Sequence, residues 1–143
     1  MRPVFDHWQT WALLSAGFAA LTAIFAKIGV ENVPSDLATL VRTVVILALT
    51  AAIVLATGQW QATATISGRS LGFLVLSGLA TGASWVCYFR ALKLGEASRV
   101  APVDKLSVVL VAVFGVAFLG EHLSRTHWLA VALIACGAAL LAR

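Results

Sequence analysis

From Trp8 to Ile28 the chain reads WQTWALLSAGFAALTAIFAKI, with Lys27 the only charged residue in the run. A helix needs about 20 mostly apolar residues to cross a hydrocarbon core about 30 Å thick. A surface helix of that length in a soluble protein would carry a charged face instead. The run is therefore read as a membrane-crossing helix, halted by Lys27, Gly29, Glu31, Asn32 and Pro34. Asp6 and Trp8 stand where a secretory leader would place basic residues, and no small-x-small cleavage site follows, so the segment is not read as a signal peptide.

Four more such stretches follow: about Ser35 to Thr57, about Ser70 to Leu94, about Ser98 to Leu119 and about Thr126 to Ala142. Gly58, Gln59 and Trp60 close the second, Gly95 and Glu96 the third, and Gly120, Glu121 and His122 the fourth. The expectation is an all-α integral membrane protein, one domain over residues 1–143 with five transmembrane helices. Composition agrees: of 143 residues 61% are hydrophobic and 11% charged, against roughly 45–50% and about 25% in soluble domains. A soluble monomer is excluded, and so is a disordered chain, which would be poor in hydrophobic residues and rich in charge. Trp8, Trp11, Trp60 and Trp128 fall near helix ends, where their amphipathic rings favour the headgroup region.

The net charge of +4 is scattered along the chain rather than clustered, so it makes no nucleic-acid footprint. Cys87 and Cys136 lie in apolar stretches, unsuited to a disulfide framework or a zinc set, and are expected to be small packing residues. Glu121, His122 and His127 are expected to be solvated residues at a helix end rather than a metal site, and no cofactor is implied. An odd number of spans puts the chain ends on opposite sides. Short-loop basic residues then number three on the N-terminal side (Arg2, Arg69, Arg125) and four on the other (Lys27, Lys93, Arg99, Arg143). Counting Arg42, Arg90 and Lys105 as well, which lie inside expected helices, makes it three against seven. The near balance of the loop residues permits insertion in both orientations.

A passive bundle needs only apolar and small residues, so polar groups at helical spacing are informative. On the third helix Ser77, Thr81, Ser84 and Tyr88 share a face, and Gly78, Gly82, Trp85 and Phe89 form the stripe beside it. Gly78 and Gly82 also make a small-xxx-small pattern suited to close helix packing. Thr39, Thr43, Thr50 and Thr57 align on the second helix, and Trp11, Ser15, Phe18, Thr22 and Phe25 on the first. Hydroxyls that bond their own i−4 carbonyls would explain any one stripe; three together favour a shared, partly wet cavity.

Arg42, Arg90, Asp104 and Lys105 lie within expected spans, where each charge costs about 2.5–3.5 kcal/mol at mid-membrane. Snorkelling of long stems accounts for Arg90 and Lys105 as readily as pairing does. Asp104 has a short stem and is expected to accept a salt bridge from Lys105, Arg42 or Arg90. Pro102 fits the first turn of the fourth helix, where its missing N–H matters little, or leaves a backbone break of the kind transporters use.

From Arg90 to Glu121 the chain reads RALKLGEASRVAPVDKLSVVLVAVFGVAFLGE. This resembles the signature of the EamA domain of the drug/metabolite transporter superfamily, GEASRVAPVDKLS (Gly95 to Ser107) and LGEHLS (Leu119 to Ser124) being the most specific pieces. Lys27 and Arg42 are similar to that domain's lysine at the end of the first helix and arginine early in the second. Most members carry two such domains, the second inverted, with a cavity between them. The resemblance is to the single-domain, five-helix type, which implies a homodimer of antiparallel copies in a bacterial or archaeal cytoplasmic membrane. The related four-helix multidrug transporters carry a coupling acid in the first helix, and the run from Trp8 to Ile28 has none.

The function expected is a secondary transporter or exporter of small organic solutes, such as amino acids, metabolites or drugs, working by alternating access. Ser77, Thr81, Ser84 and Tyr88 would line the substrate path and Trp85 would give it an apolar or cation-attracting wall. Arg42, Arg90, Asp104 and Lys105 would form a charge network for orientation or gating. A non-transporting membrane scaffold or modulatory subunit is the alternative, in which the stripes serve packing. No paired acids and no Ser/His/Asp arrangement suggest an enzyme.

Overall fold

A computed structural model describes residues 7–142, so Arg2, Asp6 and Arg143, used above to weigh orientation and a leader, lie outside the described residues. The elements are α1 (Trp8–Gly29), α2 (Ser35–Ala56), a 3₁₀ stretch (Gln59–Thr65), α3 (Gly68–Leu94), α4 (Ala97–Asp104), α5 (Ser107–Leu119) and α6 (Arg125–Leu141). The protein is all-α, with no strand among the described residues. α1, α2, α3 and the α4–α5 stretch are each long and apolar enough to cross a membrane. The 17 residues of α6 rise about 26 Å, close to the hydrocarbon thickness.

Local chemistry sets the ends. Ser67 Oγ accepts from the Ser70 N–H at 3.1 Å and opens α3 two residues earlier than its apolar run suggests. Ser124 Oγ accepts from the His127 N–H at 3.3 Å and starts α6. α2 follows Pro34, and Asp36 in its first turn complements the helix dipole. Gly58 and Gly120 both adopt φ +68° just past α2 and at the end of α5, a conformation that side chains with a Cβ resist.

The expected fourth helix is interrupted. α4 ends at Asp104 and α5 begins at Ser107. Across the break the N–H groups of Leu106, Val108 and Val109 each donate three residues back, to Val103, Lys105 and Leu106, all at 3.0 Å. This is tight 3₁₀ geometry in place of the α ladder. Pro102 is the sixth residue of α4 rather than part of its first turn, because the helix already starts at Ala97. Without an N–H, Pro102 gives nothing to the Ser98 carbonyl, and its ring crowds that oxygen.

The chain forms two compact units. One comprises the residues up to Lys27 and those from Leu94 onward; in it α6 packs on α4 and α5, and Ala23 and Ala138 are buried. Lys27 Nζ donates to the Gly95 carbonyl at 2.8 Å, tying the end of α1 to the turn before α4. The other comprises Ile28–Lys93, holding α2, the 3₁₀ stretch and α3, with Val30, Thr39, Phe89 and Leu92 buried. Large apolar side chains elsewhere face outward, such as Leu47, Phe73 and Leu79, as a protein solvated by lipid permits. Cys87 and Cys136 are exposed free thiols rather than the packing residues expected, because each projects from an outward helix face.

Candidate functional site

The 27 residues of α3 span about 40 Å. The middle therefore crosses the hydrocarbon while Arg90 and Lys93, near its end, reach the polar boundary. Ser77, Thr81 and Ser84 are exposed along one face, and Tyr88 continues it half-buried, its ring edge-on to Phe89 with centroids 6.4 Å apart. Thr81 Oγ1 donates to the Ser77 carbonyl at 2.9 Å, so its proton is used within the helix and its lone pairs stay open. The hydroxyls of Ser77 and Ser84 make no hydrogen bond among the described residues.

On the adjoining stripe a Cβ built on Gly78 or Gly82 would meet no atom within 4 Å. The close packing that their spacing permits is thus not made within the described chain. The bare backbone at these two positions leaves open surface on the stripe that carries Trp85. The guanidinium carbon of Arg42 lies over Trp85, 4.3 Å from the ring centroid, and 5.5 Å from that of buried Phe89. Arg42 is the eighth residue of α2, about 10 Å from its start. A cation over an aromatic ring gains about 0.5–2 kcal/mol, less than the roughly 2.5–3.5 kcal/mol that an arginine costs at mid-membrane. The rings hold the cation without neutralising it.

The threonine stripe of α2 is satisfied locally. Thr39, Thr43, Thr50 and Thr57 donate to the carbonyls of Ser35, Thr39, Ile46 and Ile53 at 2.8–2.9 Å. Each hydroxyl keeps only acceptor capacity for a solute. The first-helix stripe is mostly exposed. A shallow concavity of about 570 Å³ beside it is lined by Thr10, Leu13, Leu14, Gly17, Phe18 and Leu21, walls that offer a polar solute almost no hydrogen bonds.

The charged residues resolve into pairs. Arg90 clamps Asp36 with two parallel bonds, Nε to Oδ1 at 3.2 Å and Nη2 to Oδ2 at 2.9 Å, a bidentate geometry that only Arg supplies. One turn away Lys93 Nζ donates to the Val33 carbonyl at 2.9 Å. In the other unit Asp104 accepts from neighbouring Lys105 at 3.3 Å, beside the α4–α5 break. Sequence reasoning overlooked Asp36. Its signal was available: the first turn of α2 and the last turn of α3 reach the same membrane face, so charges there can meet. Glu121 folds back so that its Oε2 lies 2.5 Å from where a Gly115 Cβ would be. Among the described residues no three potential metal ligands gather.

The chain matches the model of the EamA-like transporter family over residues 7–143. It is also 70% identical, over 137 residues, to a protein of a Sinorhizobium species named "Uncharacterized transporter in cobO 3'region". The match covers 96% of this chain and 97% of that one. No solved structure matches.

Proposed function

The chain belongs to the EamA-like transporter family and is a multi-pass membrane transporter, and on that footing we propose that it is a secondary transporter or exporter of small organic solutes, such as amino acids, metabolites or drugs, working by alternating access. Two antiparallel copies in the cytoplasmic membrane would supply the two inverted halves that such a cycle needs, rocking about a site near the midplane. The observation that supports this most is the open face of α3: Ser77 and Ser84 with unused hydroxyls, Thr81 with free lone pairs, and Tyr88 and Trp85 beside the uncovered glycines Gly78 and Gly82. That face presents hydrogen-bonding and aromatic surface to a small molecule.

Arg90 with Asp36, and Lys105 with Asp104, would act as charge pairs that hold helix ends in one state and release them in the other. A solute shifts the balance between the outward and inward states only as far as it binds them differently. Replacing Ser84 or Tyr88 with Leu should lower uptake or efflux in reconstituted vesicles roughly threefold to tenfold, as loss of one hydrogen bond worth about 0.5–1.5 kcal/mol implies. Yield in the membrane should not fall, because both side chains are at least partly exposed. Unchanged transport by both variants would remove α3 from the path.

A further inference from the structure

Resting on the transport reading above, we propose that Arg42, fixed over Trp85 and Phe89, is a carboxylate-binding subsite, so that the solute is a small organic acid or zwitterion and not a cation. Three observations converge. The guanidinium is half-buried in a membrane span and makes no ion pair or hydrogen bond among the described residues. Of the acids in its own unit, Asp36 is occupied on both oxygens by Arg90, and Glu31 makes no ion pair with Arg42. A cation in such a place calls for an anion, and its own unit supplies none.

The second observation is how Arg42 is held. The rings of Trp85 and Phe89 lie 4.3 Å and 5.5 Å from its guanidinium carbon. Neither ring contact uses the N–H groups in a hydrogen bond, and the guanidinium fork matches a carboxylate in two-point geometry. The side chain is positioned before a ligand arrives, which reduces the ordering that binding requires. The third observation is space: at Gly78 and Gly82, on the stripe that carries Trp85 and beside Ser84 and Tyr88, an added Cβ would meet no atom within 4 Å, so the surface there is open. A single guanidinium neutralises one carboxylate, whereas a phosphate ester carries about −1.5 to −2 and would call for further cations. Cationic solutes meet an uncompensated positive charge where Trp85 would otherwise have attracted them.

The test uses the full-length protein, purified and reconstituted, with radiolabelled benzoate and L-phenylalanine as carboxylate probes and phenethylamine and tetraphenylphosphonium as cations. Saturable binding of at least one carboxylate and of neither cation is expected. Arg42→Lys, which keeps charge but loses the fork, should weaken that binding about tenfold, and Arg42→Gln should abolish it. Both variants should elute as the parent does on gel filtration; should Arg42→Gln fail to fold, the Lys variant carries the test. Saturable binding of no carboxylate, binding of cations instead, or undiminished binding to the Lys variant would each overturn the subsite. Vesicle transport separates this from the wider reading. Arg42-dependent binding without transport keeps the subsite and removes the transporter mechanism, while Arg42-independent transport of a cation does the reverse.

Discussion

Gly115 within α5 and Gly120 just past it look alike in sequence and have opposite requirements. Gly120 holds φ +68° at the helix end, where a Cβ meets its own carbonyl. Gly120→Ala should therefore destabilise the protein by roughly 1–2 kcal/mol. Gly115 is mid-helix with ordinary backbone, and the sole obstacle to a side chain is the Glu121 carboxylate, 2.5 Å from the would-be Cβ. That carboxylate is the tip of a flexible, exposed side chain and can swing into water. Gly115→Ala should then be neutral or stabilising by up to about 0.5–1 kcal/mol, the helix advantage of Ala over Gly. Thermal unfolding in detergent decides both; loss of stability in Gly115→Ala comparable to that in Gly120→Ala would show that the Glu121 position is itself required.

At the scale of elements, the α4–α5 break is the departure from a plain span. Pro102 withholds a bond from the Ser98 carbonyl and its ring crowds that oxygen, while 3₁₀ bonds carry the chain past Lys105 and Leu106. Such a joint lets two half-helices tilt separately. In an unbroken helix a proline costs about 3 kcal/mol relative to Ala. Pro102→Ala should raise the thermal midpoint and slow vesicle transport, because the joint stiffens as the bond returns. Unchanged transport would mean that the joint plays no part in the cycle, and faster transport that its flexibility hinders it. The long α3 works in the other direction: its excess length carries Arg90 and Lys93 to the boundary, where Asp36 and the Val33 carbonyl receive them.

For the whole molecule, orientation in the membrane decides how copies pair. Antiparallel pairing demands that copies insert both ways, and loop charges of three against four put little bias against it. Single cysteines in place of Gln59 and Ser98, which lie on opposite sides of the membrane by the alternation of spans, report this in a background with Cys87 and Cys136 replaced. Both are exposed positions in the structure. Labelling of each from both sides of native membranes is expected. One-sided labelling would end the antiparallel homodimer and direct attention to an oppositely oriented partner.

Sequence alone determined the solvent, the class and the spans, since the apolar runs from Trp8, Ser35, Ser70, Ser98 and Thr126 are long enough for the hydrocarbon core wherever they sit. It also marked the polar face of α3, because residues at i, i+4, i+7 and i+11 share a side of any helix. Which hydroxyls were already spent was not legible: Thr39, Thr43, Thr50, Thr57 and Thr81 turn back on their own carbonyls, a choice of rotamer rather than of residue. Nor were the charge partners. Asp36 and Arg90 are 54 residues apart, and Arg42 meets Trp85 on another helix, so only the placement of α2 beside α3 decided that one arginine would be neutralised and the other left with rings and no anion.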